Sequence, residues 1–235
     1  MIDRTNVAAL IPSYFEEKRI ADVATRTLAQ VDRVLVVDDG STDATEAEAQ
    51  KAGAEVLRHT INQGKGASIK TGLRELSTRI GVDYIIILDG DGQHLPEEIP
   101  RFFDEANRSG AQMLVGNRMA DIAHMPRVRQ WTNRIMSAQI SAACGQRVPD
   151  TQCGFRMIHR DLAPILADCA SSRYDFETEM LVIASRAGFA IAAVPVSTVY
   201  GDEKSKIHPV RDTLRFFALM RRLRRSEAGV LGQKI

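Results

Sequence analysis

Asp89-Gly90-Asp91 offers the sharpest local chemistry in the chain. Two carboxylates at i and i+2 of an extended segment project to one side, and their oxygens suit a hard divalent cation that also binds diphosphate oxygens. Gln93 adds a further oxygen. An isolated Asp-x-Asp is as readily a turn, because Asp and Gly favour turns. Here it follows the apolar run Ile85-Ile86-Ile87-Leu88, which sets it at a strand end. Asp38-Asp39-Gly40-Ser41-Thr42-Asp43 follows the run Val34 to Val37 in the same way. Ser41 or Asp43 could cap the helix that comes next. Asp39 has no capping duty and suits hydrogen bonds from a nucleobase or ribose. Asn62-Gln63-Gly64-Lys65-Gly66 precedes another helix, whose first N–H groups, with Lys65, suit an anion. It is no Walker loop, since its second Gly follows Lys and no upstream Gly has the required spacing.

The elements that must position these groups alternate along the first half. Short apolar runs at Val7 to Ile11, Val34 to Val37, Glu55 to Arg58, Tyr84 to Leu88 and Met113 to Val115 predict strands. Between them, Ile20, Val23, Ala24, Thr27 and Leu28 recur at helical spacing, as do Ile69, Leu73 and Leu76. Phe102, Phe103 and Ala106 sit in a third helical stretch after Pro96. Repeated β-α-β units predict an α/β chain with a Rossmann-like, mostly parallel sheet and helices on both faces. Ligands of such sheets collect at the carboxyl ends of the strands, so both acidic segments and Gly116-Asn117-Arg118 should share one cleft. In the second half, Arg127 to Ala143 and Glu177 to Ala187 read as helices and Gly188 to Pro195 as a strand. Pro209 to Arg225 reads as a basic amphipathic helix. Without a linker or repeat, the chain reads as a single domain.

Composition narrows the classes. The 235 residues are 44% apolar and 26% charged, with a net charge of +1, which excludes disorder and coiled coil and gives no global attraction to nucleic acid. Three cysteines without Cys-x-x-Cys spacing suggest neither a disulfide framework nor a zinc site and favour a reducing compartment. The N-terminus lacks the basic start and apolar run of a signal peptide. The apolar runs fall short of the ~20 residues that span a bilayer. A cytoplasmic chain is expected.

Four motifs in order resemble those of a family 2 glycosyltransferase of the GT-A type. They are Ile11-Pro12-Ser13-Tyr14-Phe15-Glu16, Val36 to Asp43, Asn62 to Gly66 and Asp89-Gly90-Asp91-Gly92-Gln93. The resemblance runs on through Gly116-Asn117-Arg118, Asp150-Thr151-Gln152-Cys153-Gly154-Phe155-Arg156 and Gly201 to Lys206, and is strongest with the dolichol- and polyprenyl-phosphate hexose synthase branch. It implies a GT-A fold and a metal-dependent, inverting transfer of a hexose from a nucleotide-diphosphate sugar to a polyprenyl phosphate. Residues 1–118 would form the nucleotide-sugar half, 119–208 the acceptor side and 209–235 a basic C-terminal helix and tail.

By that resemblance Pro12, Tyr14, Glu16, Val37 and Asp39 would hold the nucleoside. Asp89, Gly90 and Asp91 would meet sugar and diphosphate, with Mg²⁺ or Mn²⁺ on Asp89, Asp91 and Gln93, and Lys65 nearby. Arg118 and Arg129 would receive the acceptor phosphate, while Lys204 and Lys206 would close over the donor. Asp91 and Arg118 would be catalytic. For a hydroxyl acceptor on a glycan or glycolipid a base is needed, and Asp150 is the candidate, with Glu177 behind it. The Pro209 to Arg225 segment suits peripheral contact with the anionic cytoplasmic face of a membrane, or a homodimer. Two other readings are a sugar-nucleotidyltransferase, which would open with a Gly-rich loop, and a noncatalytic nucleotide-sugar-binding protein.

Overall fold

The computed structural model describes residues 1–120, 127–171, 175–197 and residue 221. Lys204, Lys206 and, apart from Arg221, the expected helix from Pro209 to Arg225 lie outside the described residues. A mixed α/β sheet of seven strands organises the chain, with order β3-β2-β1-β4-β6-β5-β7. The strands are β1 (Val7–Ser13), β2 (Arg33–Asp38), β3 (Glu55–Arg58), β4 (Tyr84–Ile87), β5 (Met113–Asn117), β6 (Arg156–His159) and β7 (Ile191–Pro195). The helices are α1 (Ile20–Leu28), α2 (Thr45–Lys51), α3 (Lys65–Ser77), α4 (Ile99–Ser109), α5 (Arg127–Cys144), α6 (Leu162–Ala167) and α7 (Asp175–Arg186).

Strands β1, β2 and β4 are buried almost throughout because their faces are covered, which is why they read as unbroken apolar runs. They pair in parallel, Leu10 standing opposite Leu35 on one side and Ile87 on the other. Helix α3 lies so close to β1 that a Cβ at Gly72 would overlap the Leu10 side chain. Helix α4 seals its side with fully buried Phe102, Ile99 and Ala106. Burying one such phenylalanine contributes about 2–3 kcal/mol.

Among the described residues the expected strands and helices are present, most of them with an end shifted by a few residues. One strand was not expected. β6 runs antiparallel between β4 and β5, placing Arg156 opposite Ile87 and Val115. The reversal has a functional result: the segment entering β6, Asp150 to Phe155, arrives at the sheet edge where β1, β2, β4 and β5 end. The order β3-β2-β1-β4 also reverses direction at β1, so the cleft beyond β1 and β4 is a topological switch point.

Candidate functional site

At the end of β2 the acids are committed to their own loops. Asp38 Oδ1 accepts from the Ser41 amide at 3.0 Å and from the Ser41 hydroxyl. Asp43 accepts from the Thr45 amide at 3.1 Å, at the start of α2. Asp39, expected to have no helix-capping duty, has three partners: it accepts from the amides of Gln63 (2.9 Å) and Gly64 (2.7 Å) and pairs with His59 Nδ1 at 2.8 Å. His59 Nε2 lies 2.9 Å from the Thr71 hydroxyl. Asp39 thus fixes the turn that launches α3, and with it the position of Lys65. Pro12 and Val37 are buried in their strands, Glu16 is buried beside them, and Tyr14 and Phe15 stand exposed at the rim in edge-to-face contact.

The end of β4 holds the centre of the site. Lys65 Nζ lies 2.6 Å from Asp89 Oδ1 and 2.6 Å from Glu177 Oε1. Burial alone would lower the Lys65 pKa, but these two carboxylates hold it well above its ordinary value. Burial likewise favours protonated Asp89, and the Lys65 charge reverses that, keeping Asp89 below the usual carboxylate range. Asp91 goes the other way: burial and then the charge of Asp89 push its pKa up. Its Oδ1 accepts from the Gln93 amide at 3.0 Å. Gly90 is buried against Ser13.

His94 closes this loop from behind. It is stacked on Phe155 and accepts the Asp89 N–H at Nδ1, 3.2 Å away. Burial lowers its pKa, so the neutral ring carries its proton on Nε2. Gly154 supplies the third wall. A Cβ there would lie 3.0 Å from Asp89 Oδ2, 3.2 Å from Lys65 Nζ and 3.3 Å from Glu177 Oε1.

Two carboxylates on one loop, one of them with a raised pKa, fit a hard divalent cation. Among the described residues no cluster of three His, Cys, Asp or Glu side chains is placed to hold a metal. Asp89 and Asp91 would therefore share the ion with oxygens from a ligand such as a diphosphate. Asp89 and Glu177 share the Lys65 ammonium and Asp91 lies beside Asp89 on the same loop, where a divalent cation would offset the repulsion between the two aspartates.

The end of β5 carries Arg118, whose Nε and Nη2 reach Asp150 Oδ2 (2.7 Å) and Oδ1 (3.0 Å). The Arg118 amide (3.1 Å), Asn133 Nδ2 (2.7 Å) and the Gln152 amide (3.1 Å) donate to the same carboxylate. Although burial raises a carboxyl pKa, the Arg118 and Asn133 bonds hold Asp150 below its usual range. A carboxylate so stabilised is a poor proton acceptor, and its bonds orient the Arg118 guanidinium. Glu177, the second candidate base, is engaged by Lys65. Arg129 belongs to α5, and its side chain lies outside the described residues.

Beneath these groups Arg156 is fully buried and donates to the backbone carbonyls of Cys153 (2.9 Å), Thr151 (3.0 Å) and Glu177. It ties the segment entering β6 to the start of α7. His59, His94 and Arg156 were absent from the expected site. An arginine within the otherwise apolar Phe155 to Ile158 is the signal that could have revealed the last of them.

The chain is similar to known proteins over most of its length. The profile of the family described as Glycosyl transferase family 2 matches residues 8–164. An undecaprenyl-phosphate mannosyltransferase of Micrococcus luteus is 31% identical over 82% of this chain and 83% of its own. A UDP-N-acetylglucosamine–dolichyl-phosphate N-acetylglucosaminyltransferase of Methanococcus voltae is 28% identical over 81% of this chain and 84% of its own. The crystal structure of glucosyl-3-phosphoglycerate synthase from Mycobacterium tuberculosis with UDP aligns at a TM-score of 0.71 and 22% identity, over 93% of this chain and 80% of that one. Its complex with Mn²⁺, UDP and phosphoglyceric acid aligns at 0.66 and 21% identity, over 93% and 76%. These likenesses give the GT-A fold. Among the described residues no helix is long and apolar enough to cross a membrane.

Proposed function

Because the chain belongs to glycosyl transferase family 2, we propose that this glycosyltransferase moves a hexose from a nucleoside-diphosphate sugar to a polyprenyl phosphate, with inversion and with Mg²⁺ or Mn²⁺. The observation that carries the reading is the convergence on one sheet edge of Asp89 and Asp91, Lys65 and the anchored Arg118. Relatives named as polyprenyl- or dolichyl-phosphate glycosyltransferases support the acceptor class.

In this reading the nucleoside lies over the ends of β1 and β2, between Tyr14 and Glu16 on one side and Asp39 on the other, against Pro12 and Val37. The diphosphate reaches Lys65, and Asp89, Gly90 and Asp91 face the sugar and the metal, with Gln93 as a further ligand. When bound, the divalent ion offsets negative charge that develops on the departing nucleoside diphosphate. Lys65 contributes to the same offset from the start of α3. Arg118, oriented by its paired bonds to Asp150, would receive the acceptor phosphate, a role that Arg129 would share. A phosphate oxygen forms the new bond to the anomeric carbon while the bond to the diphosphate oxygen breaks, and the electron pair leaves with the nucleoside diphosphate. A phosphate monoester has a second pKa of about 6, so near neutral pH the attacking oxygen is already anionic and no base is required. That agrees with the commitment of Asp150 and Glu177 to ion pairs. Lys204 and Lys206 would close over the donor, and the basic segment after Pro209 would bring the enzyme to an anionic, cytoplasmic membrane face.

The test is a panel of UDP- and GDP-hexoses with polyprenyl phosphate and polyprenol, each with Mg²⁺ and with chelator. Metal-dependent glycosylation of the phosphate, in preference to the alcohol, is expected. Transfer to the alcohol alone would overturn the acceptor assignment.

A further inference from the structure

The position of Lys65 carries a consequence that rests on the reading of Asp89 as a metal and diphosphate ligand. Its ammonium lies 2.6 Å from Asp89 Oδ1, where a cation serving that oxygen would sit. It is held from the other side by Glu177, also at 2.6 Å, and Gly154 leaves just enough room for the three groups together. The stem begins at the first residue of α3, whose entry is fixed by the bonds of Asp39 to Gln63 and Gly64. The backbone is thus anchored while the charged tip rests on a side-chain carboxylate from another element.

We propose that Lys65 is a resident counter-cation of Asp89 that a divalent metal must displace, and that the displaced ammonium passes to the donor diphosphate. A buried carboxylate needs a compensating charge before any ligand arrives. Lys65 provides it, and a divalent ion approaching the same oxygen meets a like charge at close range. Once the metal takes Asp89, the ammonium keeps Glu177 as its tether and turns toward the next anion in the cleft. A lysine suits this exchange because its donors rotate on a flexible four-carbon stem, whereas an arginine fork would grip the carboxylate in two places. By linkage, a diphosphate that draws Lys65 away tightens metal binding by the same factor that the metal tightens diphosphate binding.

The test measures Mn²⁺ affinity of the full chain by electron paramagnetic resonance, without nucleotide. Lys65→Met removes the competitor and is expected to tighten Mn²⁺ binding about tenfold, while Lys65→Arg does not tighten it. A second measurement uses the unaltered chain: acylation of Lys65, followed by mass spectrometry, should rise several-fold on adding Mg²⁺ alone and fall again when UDP or GDP is added. Lys65→Met with wild-type Mn²⁺ affinity, or labelling of Lys65 that saturating Mg²⁺ leaves unchanged, overturns the exchange while the proposed function stands. A wild-type chain that binds neither Mn²⁺ nor either nucleotide overturns both.

Discussion

Asp150→Asn separates an orienting carboxylate from a catalytic base. Asp150 accepts five hydrogen bonds, three of them from Arg118, and is almost fully buried. An asparagine keeps one acceptor oxygen but turns an NH₂ group toward two or three of those donors. Breaking a buried ion pair by removing one partner costs about 3–5 kcal/mol. The Arg118 side chain keeps some contact with solvent, so the lower end, about 3 kcal/mol, is expected in urea denaturation at pH 7. The dependence on pH has a definite sign. Asp150 has its pKa lowered in the folded chain, below the roughly 3.9 of an unfolded aspartate, so its contribution is complete above that value and fades as pH falls toward the folded one. The gap between wild type and variant should therefore be flat from about pH 8 to 5 and narrow below about pH 4. In transfer assays KM for the lipid phosphate should rise more than kcat falls, because Arg118 loses its orientation. A variant as stable as wild type, with unchanged acceptor KM and kcat lowered roughly a thousandfold, would refute this and restore the base.

Gly154→Ala puts a methyl group against the polar ends of Asp89, Lys65 and Glu177, at 3.0 to 3.3 Å. Overpacking of this kind costs about 1–3 kcal/mol, and calorimetry should show metal-dependent UDP or GDP binding weakened along with the loss of stability. Asp91→Asn should act oppositely on stability and activity. The raised folded pKa means that ionising Asp91 costs stability above about pH 4, a cost the amide removes, so the variant should melt higher in chelator at pH 7. Transfer should fall roughly a hundredfold, and a variant that keeps its activity with Mg²⁺ would refute the metal assignment.

The parts of the fold legible in the sequence are those whose burial is uniform. β1, β2 and β4 are covered on both faces and appear as continuous apolar runs, and the acids after them mark the carboxyl ends of the sheet. β6 is illegible for two reasons. Arg156 interrupts its apolar pattern, satisfied by backbone carbonyls that no local rule supplies, and its pairing partners β4 and β5 both precede it across the α5 segment. α6 is only six residues long and contains Pro164, too short for a periodic face to show.

The same division runs through the site, and it decides which acids are available for chemistry. Sequence position identifies Asp39, Asp89, Asp91, Asp150 and Glu177 as candidates without ranking their availability, because a partner is set by which distant loops face one another. In the fold Asp39 is bound to the turn before α3 and to His59, Asp150 to Arg118 and Asn133, and Glu177 and Asp89 to one shared lysine. Those partners stabilise each anion, and the cited shifts for Asp89 and Asp150 are accordingly downward. The Asp91 pKa is raised, since burial and its neighbour Asp89 outweigh the Gln93 amide bond and the nearby positive charge. An anion left short of positive charge on a loop that His94 and Phe155 hold in place is where an added cation contributes most. That asymmetry, together with the Asp-x-Asp spacing, is the physical ground for proposing a metal at the end of β4.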